Sequence, residues 1–246
     1  MTACAFIIPG DITLPTGGYA YDRHVLARLP HHGIAATHVA LPGSYPDPTS
    51  DDLTETERRL AALPADTSLL FDGLAYGALP GDVVGRIRQR IVALVHHPLC
   101  LEAGLAPMRT RYLQQTEQMA LTLASHVVVT SPMTGRTLFS DFAVPPSKVT
   151  VAIPGTDRAA RARGTGKPLQ LLAVGSIVPR KGYDVLAHAL RNLPIDPDWR
   201  LTIVGAVRHE GAAAALIAST AMRVLPSVPF LKPTGHDRPD ASCRCD

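Results

Sequence analysis

The stretch Leu171-Leu172-Ala173-Val174-Gly175-Ser176-Ile177-Val178-Pro179-Arg180-Lys181-Gly182-Tyr183-Asp184-Val185-Leu186 decides the fold class. Its apolar opening predicts a buried strand, Gly175 and Ser176 turn the chain, and Leu186, Leu190 and Leu193 fall on one stripe of a following helix. Strand, tight turn and helix in this order form the repeating unit of open α/β sheets, which take their ligands at the carboxyl ends of parallel strands. The turn carries Arg180 and Lys181 side by side. Two cations, together with the backbone N–H groups and positive dipole end of a helix, make a place for a phosphate.

The same unit recurs toward the amino terminus. Ala5-Phe6-Ile7-Ile8 predicts a first strand ended by Pro9-Gly10, and the loop from Asp11 closes on Thr16-Gly17-Gly18. A helical stripe of Tyr21, Val25 and Leu29 follows until Pro30. Gly17 and Gly18 let the backbone approach a ligand that a Cβ would hold off, with a plain tight turn as the competing reading. Ala36 to Leu41 predicts a second strand. Asp51, Asp52, Glu55 and Glu57 then lead a helix carrying Leu53, Leu60 and Leu63, with Arg58 and Arg59 later, signs that suit the helix dipole. Leu69-Leu70-Phe71 predicts a third strand, and Asp72-Gly73 after it reads as a turn-forming pair.

Ile91-Val92-Ala93-Leu94-Val95 is the plainest strand of the first half, and it runs straight into His96-His97-Pro98-Leu99. Pro98 stops the strand, so both imidazoles stand at its carboxyl end, toward the crevice that the glycine pair borders. An imidazole there can hydrogen-bond a hydroxyl or stabilise charge developing on a leaving group. Metal ligation is not expected, because adjacent strand residues point opposite ways and no third ligand stands nearby in sequence. His96 suits the strand-end position better and His97 is the alternative; Glu102 is a candidate to orient one of them, or simply a carboxylate at a helix start. Leu105, Met108, Tyr112, Met119 and Leu123 follow helical spacing and are expected to build core. His126 to Ser131 predicts another strand, whose Ser-Pro caps the next helix.

From Arg158 to Lys167 the sequence loses its apolar period and has linker composition. The expected organisation is therefore an α/β chain of two doubly wound sheets with a cleft between them: residues 1–157, a linker at 158–167, and a second, incomplete sheet over 168–225. Ala212 to Leu225 is helix-prone. Residues 226–246, interrupted by Pro226, Pro229, Pro233 and Pro239, are expected to be poorly ordered.

The string Val-Gly-Ser-x-x-Pro-Arg-Lys-Gly-x-Asp-x-Leu, with Trp199 to Gly205 after it, resembles the donor-site entry of retaining glycosyltransferases of the two-Rossmann (GT-B) type, family 4. Leu94 to Leu105 resembles the segment of that family in which a histidine reaches the donor sugar, and Pro154-Gly155-Thr156-Asp157 resembles the element before its interdomain link. The resemblance implies that Arg180 and Lys181, with Gly175, hold a nucleotide-sugar diphosphate. It likewise implies that His96 or His97 is catalytic, that Gly17 and Gly18 line the cleft, and that neither a metal nor another cofactor is required. It covers about residues 1 to 205. The E-x7-E motif of the family is missing, since the acidic residues after Gly205 are Glu210, Asp237, Asp240 and Asp246. The expectation is a glycosyltransferase-like protein, weak or inactive as this chain, acting on an unknown glycan, lipid or small-molecule acceptor. A non-catalytic binding module and a sugar-nucleotide epimerase are the alternatives. A dinucleotide-binding oxidoreductase is disfavoured, because no G-x-G-x-x-G follows the first strand.

Composition narrows the partners further. With 246 residues, 46% of them hydrophobic, the chain can bury a core, and a net charge of +3 without a basic tract does not favour nucleic acid. No apolar run approaches the roughly 20 residues of a spanning helix, and no basic stretch with a long apolar core opens the chain, so a cytoplasmic protein is expected. A peripheral membrane contact stays open. Cys4, Cys100, Cys243 and Cys245 are read as free thiols, because only the last two are close and their C-x-C spacing does not suit a zinc knuckle.

Overall fold

The computed structural model describes residues 2–162, 164, 166–192, 199–207, 211, 214 and 223–225. The chain divides into two compact units, Met1–Arg158 and Ala159–Asp246.

The first unit is a six-stranded parallel sheet of β1 (Thr2–Pro9), β2 (Ile34–Leu41), β3 (Ser68–Asp72), β4 (Ile91–Val95), β5 (His126–Val129) and β6 (Val149–Val151), in the order β2-β1-β3-β4-β5-β6. Strand side chains alternate between faces, and the two faces collect different partners. Ala5, Ile7, Leu69, Phe71, Ile91, Ala93, Val95, Val127 and Val129 join one core with α2 (Ser50–Ala61), α3 (Gly73–Tyr76), α4 (Gly81–Arg86), α5 (Pro107–Leu123) and α6 (Pro132–Phe142). Phe6, Ile8, Leu70, Leu94 and Val128 face the other way and pack against Tyr19, Tyr21, Val25 and Leu26 of α1 (Gly17–Arg28). Full burial of side chains such as Phe71 and Tyr76 stabilises the unit by roughly 1.5–3 kcal/mol each.

Local chemistry fixes the ends of these helices. Thr49 and Asp52 form a reciprocal capping box at the start of α2, and the Ser131 hydroxyl accepts from the Thr134 N–H at the start of α6. Gly73 begins α3 where a Cβ would stand 2.9 Å from the Leu94 carbonyl oxygen, so only glycine lets this helix meet the β4 backbone.

The helical spacing of Met108, Tyr112, Met119 and Leu123 identified α5 but not its buried face. Met108 is 79% exposed and the other three are exposed as well, while Leu113, Glu117, Ala120 and Leu121 point into the core. A carboxylate in the middle of the inner stripe concealed it from a search for apolar residues.

The second unit holds three parallel strands, β7 (Leu169–Val174), β8 (Trp199–Val204) and β9 (Arg223–Leu225), in the order β7-β8-β9. Its one described helix of length, α7 (Tyr183–Arg191), packs through Tyr183 and Ala187 on Leu201, Ile203 and Ile177, with Leu186 and Leu190 beside them. Leu193, the third member of the expected stripe, lies outside the described residues. Helix was expected up to Leu225, but Arg223 to Leu225 pairs with Thr202 to Val204 as a strand; the β-branched Val224 suits that pairing. The segment 226–246, with Cys243 and Cys245, lies outside the described residues; Cys4 and Cys100 are buried free thiols. Among the described residues, no helix is long and apolar enough to cross a membrane.

Candidate functional site

Two groups of residues singled out in the sequence form separate constellations, one in each unit. In the second unit β7 ends at Val174, and the Gly175 N–H donates to the Val204 carbonyl. A Cβ on Gly205 would collide with the Gly175 carbonyl, so the ends of β7 and β8 come together at a point open only to glycine. The Tyr183 hydroxyl donates to the same Gly175 carbonyl at 3.0 Å, which ties the start of α7 to the end of β7. Pro179–Lys181 makes one 3-10 turn, and Gly182 takes the left-handed conformation (φ 63°) that lets α7 begin at the next residue. Arg180 and Lys181 are exposed on this turn, next to the helix N-terminus. Gly175, Lys181 and Tyr183 are thus neighbours, since a Cβ on Gly175 would stand 3.6 Å from Lys181 Cε.

In the first unit the alternation of the strands carries Asp72 and His96 to one place. Residues 70 and 72 of β3 face α1, as do Leu94 of β4 and, one step past its end, His96. On α1 the core-facing stripe through Gly18, Val25 and Leu26 has Asp22 in its middle. The three side chains converge: His96 Nε2 lies 3.0 Å from Asp22 Oδ1 and 3.6 Å from Asp72 Oδ2. Asp22 is fully buried and Asp72 is 2% exposed, whereas the His96 side chain keeps 24% of its surface open. The edge of the Tyr21 ring packs against His96 at 5.3 Å between centroids. The Thr130 hydroxyl donates to the His96 carbonyl at 3.4 Å.

The electrostatics follow from this burial. Desolvation, then the neighbouring Asp22 carboxylate, drive the Asp72 carboxyl well above its ordinary range, against the pull of His96 and of the Leu74 N–H. Burial pulls the His96 ring down, but the hydrogen bond to Asp22 and the charges of both carboxylates outweigh it, and its pKa is raised. A second buried carboxyl, Glu117 on α5, is pushed up to about 8 by desolvation. It accepts from the Leu99 N–H at 2.9 Å and so anchors the loop that follows His96-His97-Pro98.

The sequence reading named His96 and missed both of its carboxylates. Asp72 does serve as the expected turn-former, accepting from the Leu74 N–H at 2.8 Å, but its other oxygen faces His96. Strand parity was the available signal, because Asp72 and His96 are even-numbered ends of adjacent strands. His97 is exposed, and Glu102 is exposed after the 3-10 turn Leu99–Leu101. The donor atoms of Asp22, Asp72 and His96 lie within 4.8 Å of one another. Within this group His96 Nε2 and Asp22 Oδ1 stand at hydrogen-bond distance.

Gly17 and Gly18 are the first residues of α1, capped by the Thr16 hydroxyl, rather than part of a free loop. A Cβ on Gly17 would meet no atom, and one on Gly18 would make ordinary contact with the His96 ring at 3.6 Å. The preceding loop is held by Arg23, whose Nη1 donates to the carbonyls of Ile12 and Leu14. A cavity of about 640 Å³ runs along the other side of α1, bordered by Gly17, Tyr21, His24 and Arg28 and by residues 153–157. Tyr21 separates it from His96 and donates to the Ala152 carbonyl.

No family model and no curated protein sequence matches this chain. Solved structures do. Sucrose-phosphate synthase from Thermosynechococcus elongatus superposes with a TM-score of 0.66 at 14% identity, over 93% of this chain and 71% of that one. Anabaena HepE in complex with UDP and glucose gives 0.57 at 14% identity, over 92% and 70%. The lipopolysaccharide outer core galactosyltransferase WaaB gives 0.55 at 12%, over 92% and 68%. These neighbours are GT-B glycosyltransferases, and at such identities the likeness is one of fold: a mixed α/β chain of the GT-B type.

Proposed function

We propose that this chain is a glycosyltransferase-like protein whose second unit binds a nucleotide-diphosphate sugar at the turn Pro179–Lys181, with family 4 and a retaining outcome as the finer reading. The observation that carries it is the placement of Arg180 and Lys181 between the carboxyl end of a parallel strand and the N-terminus of α7. Oxygens of a diphosphate would meet two side-chain cations and the backbone N–H groups of a helix start, and no side chain needs to lose a proton for them to bind. As a leaving diphosphate gains charge the same contacts strengthen, which is electrostatic catalysis. The crystallised HepE neighbour binds UDP and glucose, which favours the same ligand class here. His96 would orient the sugar or its leaving oxygen, with the exposed His97 as the alternative, and the open space over Gly17 leaves room for a ligand beside α1. No metal or other cofactor has a part in this scheme.

A module that binds nucleotide sugar without transferring it is the second reading. Calorimetric titration with UDP and GDP tests the binding claim. Arg180→Ala and Lys181→Ala should each weaken affinity by about 1.5–3 kcal/mol, the size of a charge-assisted contact. Equal affinity in all three proteins would refute the assignment. Release of UDP from UDP-sugars, with and without acceptors, then separates transfer from binding alone.

A further inference from the structure

The Asp22, Asp72 and His96 cluster has one ring nitrogen pointed at two buried carboxylates. We propose that Asp22 and Asp72 are positioning residues that hold the His96 ring doubly protonated through the neutral range, so that it meets its ligand as a hydrogen-bond donor through Nδ1 and selects an anionic oxygen. The geometry supplies each step. Nε2, at 3.0 Å from Asp22 Oδ1, is committed to the interior and leaves Nδ1 as the only ring nitrogen for a ligand.

Two carboxylates side by side in a site sealed from water cannot both stay ionised without a compensating charge. One proton on Asp72 and two on the ring bring the cluster to zero net charge, with Asp22 as the anion that pairs with the imidazolium. Asp22 is fully buried and shares a carboxyl–carboxyl hydrogen bond with Asp72, which places that proton between the two acids. The other groups around the ring do not reverse this balance. Tyr21 from α1 offers its ring edge, Thr130 after β5 contacts only the His96 backbone, and the hydroxyl of Tyr19 donates to the Pro9 carbonyl. His38 on β2 feels the Asp22 charge but is itself held toward the neutral form by burial. A ring in this state cannot act as a general base.

His96 matters to a ligand only if the nucleotide-sugar reading holds, so the ring state is measured without nucleotide or sugar, and a failed UDP titration leaves this result untouched. Long-range proton–nitrogen NMR of the full chain, labelled with nitrogen-15 histidine and assigned with His96→Gln, reads the protonation of both ring nitrogens against pH. The expected midpoint of His96 lies above the ordinary histidine value of about 6.5. Asp22→Asn should lower that midpoint, and Asp72→Asn should lower it by less, since Asp22 stands nearer the ring. If Asp22→Asn does not fold, the wild-type midpoint decides. A His96 ring that is neutral at pH 7, or one whose Nε2 is deprotonated on addition of equimolar Zn²⁺, overturns the proposal, as does a midpoint indifferent to both carboxylates.

Discussion

The two units are built from the same strand-turn-helix element, yet they bury their sheets to very different degrees. In the first, both faces of a six-stranded sheet are covered, and even ionisable groups such as Asp22, Asp72 and Glu117 are sealed inside. In the second, among the described residues, five side chains form the core, while Leu172 and Val174 on β7 and Val185 on α7 are each 68% exposed. A parallel sheet is stable when helices cover both faces, and among the described residues that condition is met in the first unit, whereas the Pro179–Lys181 turn of the second stands beside exposed apolar side chains. The proposed diphosphate contacts of Arg180 and Lys181 would need little burial. The His96 cluster, by contrast, depends on it.

The largest expected effect that would break this contrast is in hydrogen exchange. Amides of β1, β3 and β4 should exchange on the order of a hundredfold or more slower than those of β7 and β8, since opening free energy follows local packing. Limited proteolysis should agree by cutting first between residues 158 and 167 and leaving the first unit resistant. Equal protection in both units would mean that the second sheet is as well covered as the first.

Core truncation comes next. Phe71→Ala should cost about 3–5 kcal/mol, whereas Val174→Ala should stay within about 0.5 kcal/mol, measured by denaturant unfolding of the first and second transitions. A large loss at Val174 would show that its exposed face is covered in solution.

Buried acids make the first unit sensitive to pH. The Glu117 carboxyl rises from an ordinary 4.5 to about 8 on folding, so between these values the folded chain binds more protons than the unfolded one. Stability is therefore full below about pH 4.5 and falls as pH rises toward 8, by on the order of 4 kcal/mol for this group. The raised pKa values of Asp72 and His96 act with the same sign. Glu117→Gln should remove this group's share of the slope and leave that of Asp72 and His96, while the second unit keeps its own pH response. A wild-type first unit that gains stability from pH 5 to pH 8 would contradict the burial of these groups.

The smallest effect lies at the surface of the first unit. Thr49→Ala removes the α2 capping box and should cost about 1 kcal/mol in a urea midpoint experiment.

How much of this was legible in the sequence follows the same divide. Continuous apolar runs such as Ala5 to Ile8 and Ile91 to Val95 identified the central strands, because a parallel sheet leaves few other uses for them. The Pro-Arg-Lys-Gly turn was legible as a strand-turn-helix junction, because that geometry rests on local backbone. The His96 site was legible by half. Its histidine stands next to a proline stop, but its carboxylates come from residues 24 and 74 positions away, and an acid on a core-facing stripe looks like a break in the pattern. Glu117 hid the inner face of α5 for the same reason.

The central claim is that nucleotide binding belongs to the turn of the second unit, and hydrogen exchange of the full chain with and without UDP tests it most directly. The account predicts slowed exchange at backbone amides from Gly175 to about Leu186 on adding UDP, lost in a chain carrying Arg180→Ala and Lys181→Ala together. Slowing confined to the first unit, or an exchange pattern that the double substitution leaves unchanged, would contradict it.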